Sequence, residues 1–144
     1  MSILTKSLKE KLKKQLVHHE GLKTDLYLCP AEKWTIGVGR NLSDCGISQH
    51  EALYLLDNDI IWIANKLCQE VSWIPTLTEA RQIVLLNMAF NLGVQGLLDF
   101  KQMFAALEVE DYDTAADEML DSRWAVQVGK RALELSEIMR TNIL

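Results

Sequence analysis

Proline and glycine are scarce in this chain, with 2 and 7 among 144 residues, which excludes the turn-dense and low-complexity compositions of disordered or fibrous proteins. Cysteine is nearly as sparse. Cys29, Cys45 and Cys68 are odd in number and form no Cys-x-x-Cys pair, which argues against a disulfide framework or a structural zinc site and suits a reducing cytoplasm. Long hydrophobic runs are missing too. The most apolar stretch, 83–92, is broken by Asn87 and Asn91 and is too short to cross a bilayer. The lysine-bearing N-terminus never continues into an uncharged apolar segment with a small-residue cleavage site, so no secretory signal is expected and export would need another agent. What remains is an ordinary globular balance, 49% hydrophobic and 24% charged. A chain of this length buries about 68–70% of its unfolded surface, so one domain, 1–144, needs neither disulfides nor metals.

Charge is distributed unevenly. Residues 1–23 hold six lysines against Glu10 and Glu20, whereas the rest holds nine basic against eighteen acidic residues, for a net charge of −5. The acidic excess peaks between Glu108 and Asp121, where no Lys or Arg intervenes, so nucleic-acid binding is not expected.

Leu4, Leu8, Leu12 and Leu16 recur every four residues, with Lys6, Lys9, Lys13 and Lys14 mostly off that stripe. The spacing predicts an amphipathic helix of about four turns that ends near Gly21. From Thr24 to Leu42 the pattern changes to Leu26-Tyr27-Leu28, Pro30 and Trp34-Thr35-Ile36-Gly37-Val38-Gly39, which predicts a small β-hairpin or meander. Ser48 followed by Glu51 is a capping box that opens a helix through Ala52, Leu55, Leu56, Ile60, Ile63 and Leu67. Thr78 starts a second, very apolar helix closed by Gly93, and its all-round hydrophobicity places it at the centre of a bundle. Three further helical patterns follow, around 98–107, 114–124 and 130–140. The expected class is α+β, a two-lobe fold with a small β-containing lobe over about 20–65 and a larger helical lobe of 1–19 and 66–144.

Several constellations have ordinary explanations. His19-Glu20-Gly21-Leu22-Lys23 places Lys where HExxH needs its second His, and adjacent His18 and His19 point about 100° apart on a helix, so no metal is expected. Gly37-Val38-Gly39 imitates a dinucleotide loop, but the third Gly and the surrounding βαβ unit are missing, and a tight turn between strands explains the pair better. Trp62, Trp73 and Trp124 sit in helical, core-like text and are expected to be core; Trp34 stays open as a sugar-stacking platform. The basic helix could rest on anionic envelope polymers or lipid headgroups, although a solvated outer face over a packed leucine stripe is the commoner arrangement.

Glu20 differs from these because it lies where the first helix runs out, facing whatever the β segment builds. A carboxyl there can be partly desolvated, which would raise its pKa and suit it to act as a general acid, although most such residues are caps or surface charges. Cys29, held extended by Pro30, and Thr35 on the next strand can reach the same cleft through a folded hairpin.

Glu20-Gly21-Leu22, Leu26-Tyr27 and Trp34 to Gly39 resemble the active-site region of the phage-type lysozymes, glycoside hydrolase family 24. The family's triad spacing, Glu, then Asp or Cys, then Thr, here reads Glu20, Cys29 and Thr35. The similarity resumes at Asn87 to Gly93, Ser122-Arg123-Trp124 and Arg131-Ala132. The resemblance implies a cleft between the lobes and hydrolysis of the bond between N-acetylmuramic acid and N-acetylglucosamine in peptidoglycan. Glu20 would be the general acid, Thr35 would orient water, Arg131 would pair with Glu20, and Phe90 and Gln127 would line the cleft. It also implies a monomer with no cofactor, made in the host cytoplasm and released to the wall by a holin-type permeabilising partner. A non-catalytic peptidoglycan-binding module and an enzyme cutting chitin-like polymers are the alternatives. Arg40 stands where many members carry His after the Gly-x-Gly pair, and the segment from Gly39 to Ser48 is short, so a trimmed β lobe is expected.

Overall fold

In the computed structural model, which describes residues 3–144, Thr5 opens the first helix by accepting the Leu8 amide at 3.1 Å. Helix α1, Lys6–Glu20, ends at Gly21, whose φ of 77° few other residues adopt. Leu4 therefore precedes the helix, and the row of leucines within it begins at Leu8. None of the residues of α1 is buried.

Strand β1, Lys23–Leu28, pairs antiparallel with β2, Trp34–Gly37, and β2 pairs with β3, Arg40–Asn41. The predicted meander is thus a three-stranded sheet with Thr35 on its central strand, opposite Tyr27 on one side and Asn41 on the other. Asn41 caps a short helix α2, Leu42–Cys45, by accepting the Asp44 amide at 3.1 Å. The Trp34 amide donates to Ser43 Oγ at 2.8 Å and Lys33 reaches Asp44 at 3.1 Å, which ties α2 to β2.

The capping box forms as its sequence predicts, with the Glu51 amide donating to Ser48 Oγ at 3.1 Å and the Ser48 amide to Glu51 Oε1 at 3.0 Å. It opens α3, Gln49–Glu70, of which Leu67 is the one fully buried residue. The chain divides into two compact units inside this helix, the first running to Leu53 and the second from Tyr54 to Leu144. Trp62, expected in the core, is 64% exposed. The first turns of α3 carry apolar side chains on every side, a helix buries one stripe, and local pattern alone does not say which.

The second unit holds the hydrophobic core. A 3-10 turn at Ile74–Thr76 leads into α4, Glu79–Leu92, followed by α5, Val94–Leu98, and α6, Lys101–Glu108. Then come α7, Tyr112–Leu120, α8, Arg123–Val128, and α9, Lys130–Thr141. Five helices stand where three patterns were read, because Phe100 separates α5 from α6 and Ser122 starts α8 by accepting the Ala125 amide at 3.0 Å. Val84, Leu85 and Met88 of α4 are buried with Leu97, Met103, Leu107, Met119 and Met139. Contrary to its all-round hydrophobicity, α4 buries one face and leaves Phe90 exposed.

Two arginines fasten the end of α9. Arg81 Nε donates to the Met139 carbonyl at 2.8 Å while its guanidinium lies 3.5 Å over the Tyr112 ring. Arg140 pairs with Asp113 at 3.3 Å and Asp117 at 2.7 Å, bringing a cation to the acidic segment that has none of its own. Trp124 is buried as expected, with its indole N–H donating to Asn91 Oδ1 at 2.8 Å and Phe100 set edge-on to it. The observed class is α+β, with a small β-containing N-terminal unit followed by a larger helical one, as the sequence pattern implied.

Candidate active site

Glu20 is the last residue of α1 and its side chain is exposed. The turn between β2 and β3 comes up against it. Gly37 and Gly39 have φ of 71° and 70°, the tight-turn role inferred from sequence. At Gly39 an added Cβ would come within 3.0 Å of Glu20 Oε2 and 3.4 Å of its Cδ. What distinguishes this carboxylate is therefore the close approach of bare backbone.

Cys29 follows directly on β1 and is half-buried. Its amide donates to the Lys33 carbonyl at 3.0 Å and its carbonyl accepts the Glu32 amide at 2.8 Å, closing a compact loop in which Glu32 takes φ 61°. Thr35, only 3% exposed, donates its hydroxyl to the same Lys33 carbonyl at 2.8 Å. The Lys33 backbone amide is the main influence holding the Cys29 thiol below its usual pKa. The Ala31 amide and the Thr35 hydroxyl add to it against an opposing desolvation. Cys29 and Thr35 are thus brought together, and this unit also contains Glu20.

Phe90, Gln127 and Arg131 lie in the second unit. Arg131 is held by Asn87: its Nε donates to Asn87 Oδ1 at 3.0 Å, and its Nη2 donates to Oδ1 at 2.6 Å and to the carbonyl at 3.2 Å. Phe90 and Arg131 share with Asn87 the lining of a groove of about 290 Å³, whose aliphatic wall includes Leu56, Ile60 and Ile83. Gln127 is exposed on α8 and does not line it. Asn87 is the residue that sequence reasoning passed over as part of the site. Its spacing of three from Phe90 puts the two on one face of α4, a signal that was present.

Arg40 donates to Glu51 Oε1 at 2.9 Å and to the Gly46 carbonyl at 3.2 Å. It draws the Glu51 carboxyl down to about 2, helped by the Ser48 amide and hydroxyl. Among the described residues no group of three or more His, Cys, Asp or Glu side chains is placed to hold a metal ion.

Residues 17–140 match the family described as Phage lysozyme. The chain is 25% identical over 165 aligned positions to "Probable T4-type lysozyme 1" of Dictyostelium discoideum, covering 92% of this chain and 95% of that protein. "Probable T4-type lysozyme 2" of the same organism is 23% identical, with the same coverage. An "Endolysin" of Acyrthosiphon pisum secondary endosymbiont phage 1 is 30% identical over 117 positions, covering 78% of this chain and 77% of the relative.

Proposed function

Because the chain belongs to the phage lysozyme family, we propose that its hydrolase activity is that of an endolysin of glycoside hydrolase family 24. It cleaves the bond between N-acetylmuramic acid and N-acetylglucosamine in peptidoglycan, with Glu20 as general acid. The observation that carries the proposal is the Glu20 carboxylate set against the Gly39 turn, in the same unit as the Cys29–Thr35 pair. Glu20 protonates the leaving glycosidic oxygen as the bond to the anomeric carbon breaks. Water attacks the opposite face of the oxocarbenium-like sugar. Thr35 orients that water, and Cys29, with its lowered pKa, serves as the base that receives its proton. Arg131, its guanidinium fixed in place by Asn87, offers contact to the glycan together with Phe90 and Gln127.

Glu20→Gln keeps the shape of the side chain and removes the proton. It should lower turnover on purified sacculi by about 10²–10⁴-fold with an unchanged melting temperature. Cys29→Asp should stay active and Cys29→Ala should be severely impaired. Mass spectrometry of the released muropeptides should find N-acetylmuramic acid at the reducing end. A Glu20→Gln variant with wild-type turnover would overturn the assignment, and a trapped sugar adduct on Cys29 would replace the water route by covalent catalysis. In the cell the enzyme is made in the host cytoplasm and reaches the wall after a holin-type partner opens the membrane. Prompt lysis on expression of the chain alone, with the protein in the periplasm, would contradict that route.

A further inference from the structure

Cys29 and Thr35 are held close by a residue between them that carries no reacting group. The Lys33 carbonyl accepts the Cys29 amide at 3.0 Å and the Thr35 hydroxyl at 2.8 Å, and the Lys33 amide is directed at the Cys29 sulfur. Rotation of the peptide planes on either side of Lys33 would therefore move the thiol, the hydroxyl or both. The loop has little of its own to prevent this. Glu32 within it holds φ 61°, a left-handed conformation that a residue with a side chain keeps only where its surroundings enforce it.

The enforcement comes from α2. Lys33 Nζ donates to Asp44 Oδ1 at 3.1 Å, and the Trp34 amide donates to Ser43 Oγ at 2.8 Å. Asp44 is itself fixed, because Asn41 Nδ2 donates to its Oδ2 at 2.9 Å while the Asp44 amide donates to Asn41 Oδ1 at 3.1 Å. Asn41 is in turn the β3 partner of Thr35. Two consecutive residues of a four-residue helix thus grip two consecutive residues of the hairpin, and the helix is anchored to the strand beside Thr35. Both ties face solvent, where such bonds add little to folding. They can nevertheless set the direction of a peptide plane. We propose that Ser43 and Asp44 are positioning residues for hydrolysis, which hold the Cys29 sulfur and the Thr35 hydroxyl in register with each other through Lys33 and Trp34. The proposal rests on the roles given above to Cys29 and Thr35, and neither Ser43 nor Asp44 takes part in a bond-making step.

Ser43→Ala and Asp44→Ala are combined in the full chain with Cys45 and Cys68 replaced by Ala, and alkylation of Cys29 by iodoacetamide is followed across pH beside turnover of purified sacculi. The alkylation midpoint should move upward, because a released Lys33 peptide no longer aims its amide at the sulfur. Turnover should fall about tenfold with KM almost unchanged, less than the ~10²-fold that a displacement of about 1 Å can cost. The thermal midpoint should stay near that of the parent chain. Each single substitution should move both readouts the same way by less. Ser43→Thr with Asp44→Glu keeps a hydroxyl and a carboxylate as acceptors and should restore both. A conservative pair that behaves like the alanine pair would overturn the proposal. So would a fall in turnover matched by a fall in thermal midpoint with the alkylation profile unmoved, since the ties would then serve folding alone. Alkylation is read without substrate, which separates the two ways of failing. A raised midpoint with unchanged turnover would overturn the proposal through the roles of Cys29 and Thr35 on which it rests, whereas an unmoved midpoint would overturn it at the tether itself.

Discussion

The Thr35 hydroxyl has one proton and two neighbours that can take it, the Lys33 carbonyl at 2.8 Å and the Cys29 sulfur. While the proton points at the carbonyl, the oxygen lone pairs are left for a thiol or a water; turned toward sulfur, it stabilises a thiolate. The Lys33 amide favours the thiolate whichever way the hydroxyl turns. With Cys45 and Cys68 replaced by Ala, the alkylation rate of Cys29 should therefore rise with a midpoint below that of an unperturbed thiol, and Thr35→Val should move that midpoint upward. Iodoacetamide kinetics across pH measure both. Gly39→Ala tests the neighbouring contact. At φ 70° the added methyl strains the turn by about 1 kcal/mol and drives into the Glu20 carboxylate. Hydrolytic rate should consequently fall further than thermal stability does. The closeness of Cys29 and Thr35 was legible because both lie in one short hairpin whose bonds are local. Arg81 was not, because its hydrogen-bond partners lie 58 and 59 residues along the chain and nothing beside it in the sequence announces them.

At the scale of elements, helix ends decide most of what was read well and badly. Ser48 and Glu51 sit within one turn, so their reciprocal bonds could be predicted, whereas the break between α5 and α6 depends on Phe100, which carries no cap side chain. The Glu51 end has a pH signature. Its carboxyl titrates at about 2 in the fold against an ordinary value of 4.5. A carboxyl with a depressed folded pKa stabilises fully above the unfolded value and loses that contribution as pH falls through the folded one. Protection of the amides around Arg40 and Ser48 should therefore decline between pH of about 4.5 and 2, and Glu51→Gln should flatten that decline when exchange is followed by NMR. The end of α9 tests a buried cation. Arg81→Ala leaves the Met139 carbonyl without its partner and removes the contact with Tyr112, which should cost about 2–4 kcal/mol in denaturant unfolding. Arg81→Lys should recover little, since an ammonium cannot reproduce the planar fork.

On the scale of the whole molecule, the buried hydrophobic residues all fall between Leu67 and Met139, so among the described residues the first unit contributes none. Its sheet is held by backbone pairing, caps and exposed ion pairs, each of modest worth. Amide exchange in the sheet should accordingly proceed through openings of much lower free energy than those of α4 and α9. Met88→Ala should destabilise the second unit by about 2–5 kcal/mol, which native-state exchange in α4 and α9 can resolve. The division into a small β part and a larger helical part was legible from where β-branched and aromatic residues give way to helical spacing. The face that α3 buries was not, and Trp62 lies on the wrong side of that ambiguity. Trp62 and Trp34 are exposed, Trp73 is half-buried beside Phe104 and Trp124 is enclosed, so the four indoles form a graded set of natural fluorophores. An aqueous quencher such as iodide would darken the emission of Trp34 and Trp62 first and leave the blue-shifted light of Trp124. Colour and quenching of a single unlabelled sample would then report separately on the molecule's exterior and on its core.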